Sequence, residues 1–155
     1  IRSRLMLAGQ KKRVLIAPLD WGLGHATRCV PIIRECLRQR MEVFLAADGK
    51  PYSFLEKEFP KLPLICFPGY GITYPKHSML GLHLLLQSPR IAMRIRRERK
   101  MIEKIVKENA IDIIISDNRF GARTDKTQNI FITHQLRVKS PFGDKMTTIL
   151  HRTYY

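Results

Sequence analysis

A short glycine-containing loop near the N-terminus carries the residues best suited to chemistry. The run LDWGLGHATR places Gly22 and Gly24 directly after an apolar segment, VLIAP, and directly before a helical pattern. Glycines at these positions let the backbone turn sharply and leave N–H groups at the start of a helix, an arrangement that binds phosphate and other anions. His25 follows the second glycine. Its imidazole is suited to proton transfer or to contact with a diphosphate.

The same loop has two other interpretations. The first is a tight strand-to-helix turn that binds nothing. The second is a partial dinucleotide fingerprint, G-x-G-x-x-G followed by an acidic residue about 20 positions later. Asp48, at the end of the second apolar segment, stands where a ribose-binding acid belongs. Thr27, however, occupies the position of the third glycine, and the fingerprint gives His25 no role.

Polar side chains also follow two later apolar segments. Asp117 and Arg119 lie in SDNRFG, after IDIIIS, and His134 lies in FITHQ. We expect Asp117 to accept a hydrogen bond from His25, which makes the other ring nitrogen a better base; alternatively, Asp117 only caps its own turn. Arg119 and Arg28 are predicted to contact a phosphate, although Arg119 could instead pair with Asp117. His134 is predicted to line the same edge, or to be a polar strand-end residue bonded locally.

Apolar runs that alternate with amphipathic segments predict the elements that position these residues. Strands are predicted at residues 14–18, 41–47, 64–67, 111–116 and 130–133, and helices at 26–37, 52–59 and 78–109, the last broken or kinked at Pro89. This alternation indicates an α/β fold with a doubly wound, Rossmann-like parallel sheet. In the sheet order 3-2-1-4-5, strands 1 and 4 are neighbours, so His25 and Asp117 meet beyond their carboxyl ends.

Composition narrows the class of protein. The 155 residues are 45% hydrophobic, which fits one globular domain of roughly 100–200 residues and excludes disorder. No apolar run reaches the about 18 residues of a membrane-spanning helix. The 28 Lys and Arg residues exceed the 13 Asp and Glu residues, which predicts attraction to polyanions. The three cysteines lack metal-ligand spacing and are interpreted as reduced core residues.

The segment from residue 90 to residue 107 concentrates the positive charge. It holds eight basic residues and two acidic ones, with an apolar stripe of Ile91, Ile95, Ile102 and Ile105, and residues 79–86 just before it are apolar almost all round. An apolar surface beside a cationic helix is typical of an interfacial membrane anchor. The alternative is a core-packed apolar turn followed by a solvated basic face.

The quoted motifs resemble one enzyme family. The loop DWGLGHATR, with FLAADG, SDNRFG and FITHQ at predicted strand ends, resembles the N-terminal, acceptor-binding domain of GT-B glycosyltransferases, in particular the family 28-like peptidoglycan UDP-N-acetylglucosamine transferases and galactolipid synthases. The resemblance covers residues 12–155, and residues 1–11 are expected to be a disordered or artificial leader. The glycine spacing differs from the GGxGGH form of the peptidoglycan enzymes. In this family a C-terminal domain, absent from this chain, binds the nucleotide-sugar.

The resemblance implies a function for the whole chain. We expect half of a membrane-associated bacterial glycosyltransferase that moves a sugar from a nucleotide-sugar, expected to be a UDP-sugar, to an acceptor hydroxyl, without a metal or other cofactor. His25 and Asp117 are the expected catalytic residues; the expected substrate- or phosphate-binding residues are Gly22, Gly24, Arg28, Arg119 and His134. This half alone is expected to be inactive.

The resemblance also implies partners and a cellular location. The expected partners are a glycolipid or polyprenyl-type acceptor and an anionic membrane surface, which places the protein in the cytoplasm on the inner face of the membrane. Two other functions stay open: a NAD- or nucleotide-binding oxidoreductase domain, and a basic nucleic-acid-binding module. Nucleic acid is the less favoured partner because aromatic residues are not interleaved with the basic run.

Overall fold

The protein is a parallel sheet with helices packed on both faces. The computed structural model describes residues 11–69 and 80–133, the side chains of residues 80–92 excepted. Within these ranges the elements are β1 Arg13–Pro18, α1 Gly24–Arg38, β2 Glu42–Ala47, α2 Gly49–Glu58, β3 Leu64–Cys66, α3 Leu80–Asn109, β4 Ile113–Asp117 and β5 Gln128–Ile132. The five strands pair in parallel in the order β3-β2-β1-β4-β5. The predicted fold class and strand order are confirmed.

The central strands are apolar on both faces, and the two faces pack against different helices. Side chains alternate across a strand, so Val14 and Ile16 of β1 join the α1 residues Ala26, Cys29 and Ile33 in one cluster. The intervening residues of β1 face the other way and join a second cluster, which contains Leu15, Ala17, Ile102, Ile105 and Val106. Helices α1 and α2 therefore cover one face, and α3 covers the other.

Two predictions about local structure need correction. Helix α3 runs as one element from Leu80 to Asn109, so it is not broken at Pro89, and a kink there stays a prediction. A proline removes one backbone hydrogen bond, and a helix of 30 residues retains the others on both sides. Cys29 and Cys36 are buried as expected, but Cys66 is exposed. It ends β3, which is only three residues long and forms one edge of the sheet.

The parallel register brings the ends of β1 and β4 to the same place. Pro18 pairs with Asp117, the last residue of each strand. Just beyond, the N–H of Leu19 donates to the carbonyl oxygen of Asp117 at 3.0 Å. The chain then forms a short loop and enters α1 at Gly24. This edge of the sheet holds the candidate site.

Candidate functional site

His25 and Asp117 form a buried hydrogen-bonded pair at this edge. The Nδ1 atom of His25 lies 2.9 Å from Oδ2 of Asp117, although 92 positions separate the two residues in sequence. Asp117 is 1% exposed and His25 is 9% exposed. An ionised carboxylate only accepts hydrogen bonds, so the hydrogen of the neutral ring lies on Nδ1. Nε2 is then the nitrogen that accepts a proton.

Arg28 contacts the second oxygen of the same carboxylate. Its Nη1 donates to Oδ1 of Asp117 at 3.3 Å, and its side chain is 41% exposed. Arg28 lies three residues after His25 on α1, so both side chains project from the same face of the helix. One carboxylate oxygen of Asp117 is therefore bonded to an imidazole and the other to a guanidinium. Contact of Arg28 with a phosphate stays a prediction.

The glycine loop adopts the geometry that its sequence requires. Gly22 has a φ of +72°, in the left-handed region that side chains other than glycine rarely adopt. Leu23 occupies the N-cap position of α1 and offers no side-chain hydrogen bond to the first turn, which also lacks acidic residues. Trp21 and Leu23 are 41% and 43% exposed. The first turn of α1 therefore contributes no acidic side chain of its own that would compete with an anion, and binding by Gly22 and Gly24 stays a prediction.

Arg119 does not take part in this site, contrary to both predictions for it. Its side chain is fully buried, and Nε donates to Oε1 of Glu98 on α3 at 2.6 Å. Nη1 and Nη2 donate to the carbonyl oxygens of Phe67 and Pro68 at 3.1 and 2.7 Å. The guanidinium also stacks on the ring of Phe67, 3.9 Å from its centroid. Arg119 is therefore bonded on the α3 side of the sheet, where it reaches neither a solvent phosphate nor Asp117.

Glu98 is the important residue that sequence reasoning missed. It is 4% exposed, and its second carboxylate oxygen accepts from the N–H of Gly121 at 3.0 Å. Its sequence neighbours are basic, which suggested a solvated face. The spacing gave the opposite signal, because Glu98 falls between Ile95 and Ile102 on the apolar stripe of α3.

The remaining candidates lie at or outside the margins of the site. Asp48 caps α2: its side chain accepts from the N–H groups of Gly49 and Gly69 at 2.8 and 3.3 Å. A ribose-binding role for Asp48 stays a prediction. Asp20, an acidic residue of the loop before α1 that could also serve as a base, packs directly against Gly69. His134 lies outside the described residues.

Cys29 lies one helical turn after His25, and its thiol is unreactive. Burial, together with the negative charge of Asp117, raises the pKa of the Cys29 thiol from about 9 to about 12. The thiolate is the reactive form of cysteine. Cys29 is therefore protonated at neutral pH and does not act as a nucleophile beside the His25–Asp117 pair.

The described residues contain neither a candidate metal cluster nor a candidate membrane span. Across residues 11–69 and 80–133, no group of three or more His, Cys, Asp or Glu side chains could hold a metal ion. In the same part of the chain, no helix combines the length and apolar character needed to cross a membrane.

Comparison with known proteins rests on structure alone. No protein-family model matches the chain, and no curated protein matches it in sequence. MurG from Acinetobacter baumannii superposes with a TM-score of 0.58 at 12% sequence identity, over 92% of this chain and 39% of the MurG chain. The C-terminal domain of the PF1911 hydrogenase from Pyrococcus furiosus gives a TM-score of 0.47 at 11% identity, over 82% of this chain and 95% of that domain. The likeness to MurG shows a Rossmann-like α/β fold, and this chain spans about two fifths of the length of MurG.

Proposed function

We propose that this chain is the acceptor-binding half of a glycosyltransferase, with His25 as general base and Asp117 as the residue that orients it. The observation that carries the proposal is the 2.9 Å hydrogen bond from Nδ1 of His25 to Asp117. The pair lies beyond the carboxyl ends of β1 and β4, where open α/β sheets bind their ligands. The likeness of the fold to MurG supports the same assignment.

The proposed reaction is a single transfer between oxygen atoms. Nε2 of His25 takes the proton of an acceptor hydroxyl, whose oxygen then forms a bond to the anomeric carbon of the donor sugar. The bond from that carbon to the nucleoside diphosphate breaks, and the diphosphate leaves with the electron pair. Asp117 stabilises the imidazolium that forms, because its carboxylate faces Nδ1.

Donor and acceptor are assigned to different parts of the enzyme. A second domain, outside these 155 residues, binds the nucleotide-sugar, and no metal or other cofactor is needed. The acceptor is a glycolipid or polyprenyl-type molecule, with its anionic group at the start of α1 and near Arg28. Exposed apolar side chains on the same loop, Trp21 and Leu23, suit an acceptor with an apolar portion.

The test of this function is transfer by an enzyme that joins this domain to its donor-binding partner domain. UDP release from a panel of UDP-sugars is measured with and without glycolipid and polyprenyl-type acceptors. The masses of the products are determined by mass spectrometry. We expect acceptor-dependent UDP release and a product heavier by one sugar. The 155-residue chain alone should bind UDP-sugars weakly and transfer nothing. Tight binding of a UDP-sugar to this chain in calorimetry would show that the chain is the donor-binding half and not the acceptor-binding half. Tight NADH binding would favour an oxidoreductase.

Membrane attachment is proposed through helix α3. Its described side chains include exposed Arg94, Arg96, Arg97, Lys100, Lys104 and Lys107. Each basic side chain near an anionic lipid surface contributes about 1 kcal/mol, and salt weakens the attraction. We therefore expect the chain to sediment with vesicles that contain phosphatidylglycerol and not with pure phosphatidylcholine vesicles.

The control for membrane attachment compares the two faces of the sheet. The triple variant Arg97→Gln, Lys100→Gln, Lys104→Gln on α3 should sediment less than the wild type. An equal loss of charge on α1 and α2, by Arg34→Gln, Arg38→Gln and Lys57→Gln, should have little effect. Equal binding to both lipid types, or no binding at low salt, contradicts the proposal.

A further inference from the structure

The buried polar residues of the protein gather around the end of β4. Among the described residues, seven polar or charged side chains are buried: His25, Glu98, Ser116, Asp117, Asn118, Arg119 and Thr124. Four of them form the continuous segment from Ser116 to Arg119, and two more, His25 and Glu98, are bonded to that segment. The rest of the described core is apolar. The polar cluster thus marks the one turn that holds Asp117.

The turn sends two adjacent polar residues to opposite faces of the sheet. In a regular strand, residues two apart share a face, so Arg119 would lie with Asp117 on the α1 side. Asn118 has a φ of +56°, which breaks the alternation. Asp117 consequently bonds to α1, and Arg119 bonds to α3.

Arg119 and Glu98 tie three separate segments to one another. Arg119 belongs to the turn after β4, Glu98 to α3, and the carbonyls of Phe67 and Pro68 to the segment after β3. The carboxylate of Glu98 also holds the N–H of Gly121 at the far end of the same turn. The β4 turn is therefore fixed at both ends, two residues and four residues after Asp117.

Stability alone does not explain this arrangement. A buried ion pair is expensive to desolvate, and well-packed apolar residues of similar volume are often as stable or more so. What the ion pair adds is direction: charge-assisted hydrogen bonds from a planar guanidinium fix angles as well as distances. We propose that Glu98 and Arg119 are positioning residues, which hold the β4 turn so that the Asp117 carboxylate meets Nδ1 of His25. The catalytic meaning of this role rests on the proposed function.

The direct readout is the tautomer of His25 in the 155-residue chain, measured by long-range ¹H–¹⁵N correlation NMR. The hydrogen bond to Asp117 selects the Nδ1–H form, whereas free histidine favours the Nε2–H form. We expect wild type to show the Nδ1–H form and Glu98→Gln to show a mixture. Glu103→Gln, a substitution at a half-buried position of the same helix that does not contact Arg119, should match wild type.

A second variant separates positioning from stability. Replacing both partners, Glu98→Met with Arg119→Met, leaves no buried charge unpaired, although the carbonyl oxygens of Phe67 and Pro68 and the N–H of Gly121 lose their bonds. The melting temperature should therefore fall less than in Glu98→Gln, which leaves the buried guanidinium of Arg119 without its carboxylate. We expect the tautomer mixture to persist in this more stable variant. A double variant with the wild-type tautomer would overturn the proposal, because the pair would then be structural only. If Glu98→Gln does not fold, the double variant still decides.

Activity distinguishes failure of this inference from failure of the proposed function. In the enzyme that contains the donor-binding domain, the double Met variant should lower kcat about 10- to 100-fold with acceptor KM nearly unchanged. A catalytic group displaced by about 1 Å loses up to about 100-fold in rate. A normal tautomer and normal kcat in that variant contradict the positioning role alone. An enzyme whose rate is indifferent to His25 itself contradicts the proposed function, whatever the tautomer result.

Discussion

Two buried pairs meet at the end of β4, and they differ in what they can do. The His25–Asp117 pair on the α1 side contains an imidazole, whose ring offers both a donor and an acceptor nitrogen, and Arg28 beside it is 41% exposed. The Arg119–Glu98 pair on the α3 side has side chains that are 0% and 3% exposed. An arginine keeps its proton at any physiological pH. The first pair is suited to moving protons, and the second is suited only to holding position.

Of the two charged residues at this turn, Asp117 belongs to the candidate site and Arg119 holds the turn in place. Asp117 and Arg119 are two positions apart in sequence, yet the left-handed backbone of Asn118 sends their side chains to opposite faces of the sheet.

Changing His25 should affect the rate and spare the fold. In the two-domain enzyme, His25→Ala is expected to lower kcat by about 10²–10⁴, the usual contribution of a positioned general base. His25→Gln should lower it as much, because its amide donates to Asp117 but does not serve as a base. Steady-state kinetics and thermal unfolding of both variants provide the check. A loss confined to acceptor KM would reassign His25 to acceptor binding and retain the glycosyltransferase proposal.

Crowding the other pair should affect the fold. In Gly121→Ala the new methyl group would contact the Glu98 carboxylate and lie 2.8 Å from the backbone oxygen of Ile95. Overpacking of this kind costs about 1–3 kcal/mol, measured as the free energy of unfolding in urea. Gly24→Ala is the matched control, because nothing lies within 4 Å of its added carbon. Equal stabilities of the two variants would show that the α3 side is not tightly packed.

Cysteine labelling should distinguish the interior of the α1 side from the surface. Iodoacetamide at pH 8 is expected to modify exposed Cys66 and to leave Cys29 intact until denaturant is added. Because folding raises the pKa of Cys29 to about 12, its contribution to stability is lost as pH rises from about 9 through about 12. Cys29→Ala should therefore flatten the alkaline fall in stability slightly. Equal labelling of the two thiols in the native protein would contradict the burial.

The sheet and the meeting of His25 with Asp117 were predictable because both follow from period and topology. Apolar runs of four to seven residues mark the strands, and parallel strands place their carboxyl ends at one edge. The start of α1 was predicted two residues late, at Ala26 rather than Gly24. Glycine has poor helix propensity, so the sequence pattern gives little sign of a helical Gly24.

The Arg119–Glu98 pair was not predictable in the same way. Its existence depends on the positive φ of Asn118, a single backbone angle that reverses the direction of the next side chain. The position of Glu98 on the apolar stripe did signal burial, but the sequence names no partner for it, because 21 positions separate it from Arg119. Proximity in sequence made Asp117 look like the natural partner of Arg119.

The most direct test of the account is a double-mutant cycle on kcat with His25→Gln, Asp117→Asn and both together, in the enzyme that joins this domain to its donor-binding domain. Residues that act as one unit lose most of their function when either is changed. We predict that Asp117→Asn lowers kcat less than His25→Gln, and that the double variant is no slower than His25→Gln alone. Losses that multiply would contradict the account, because His25 and Asp117 would then act independently.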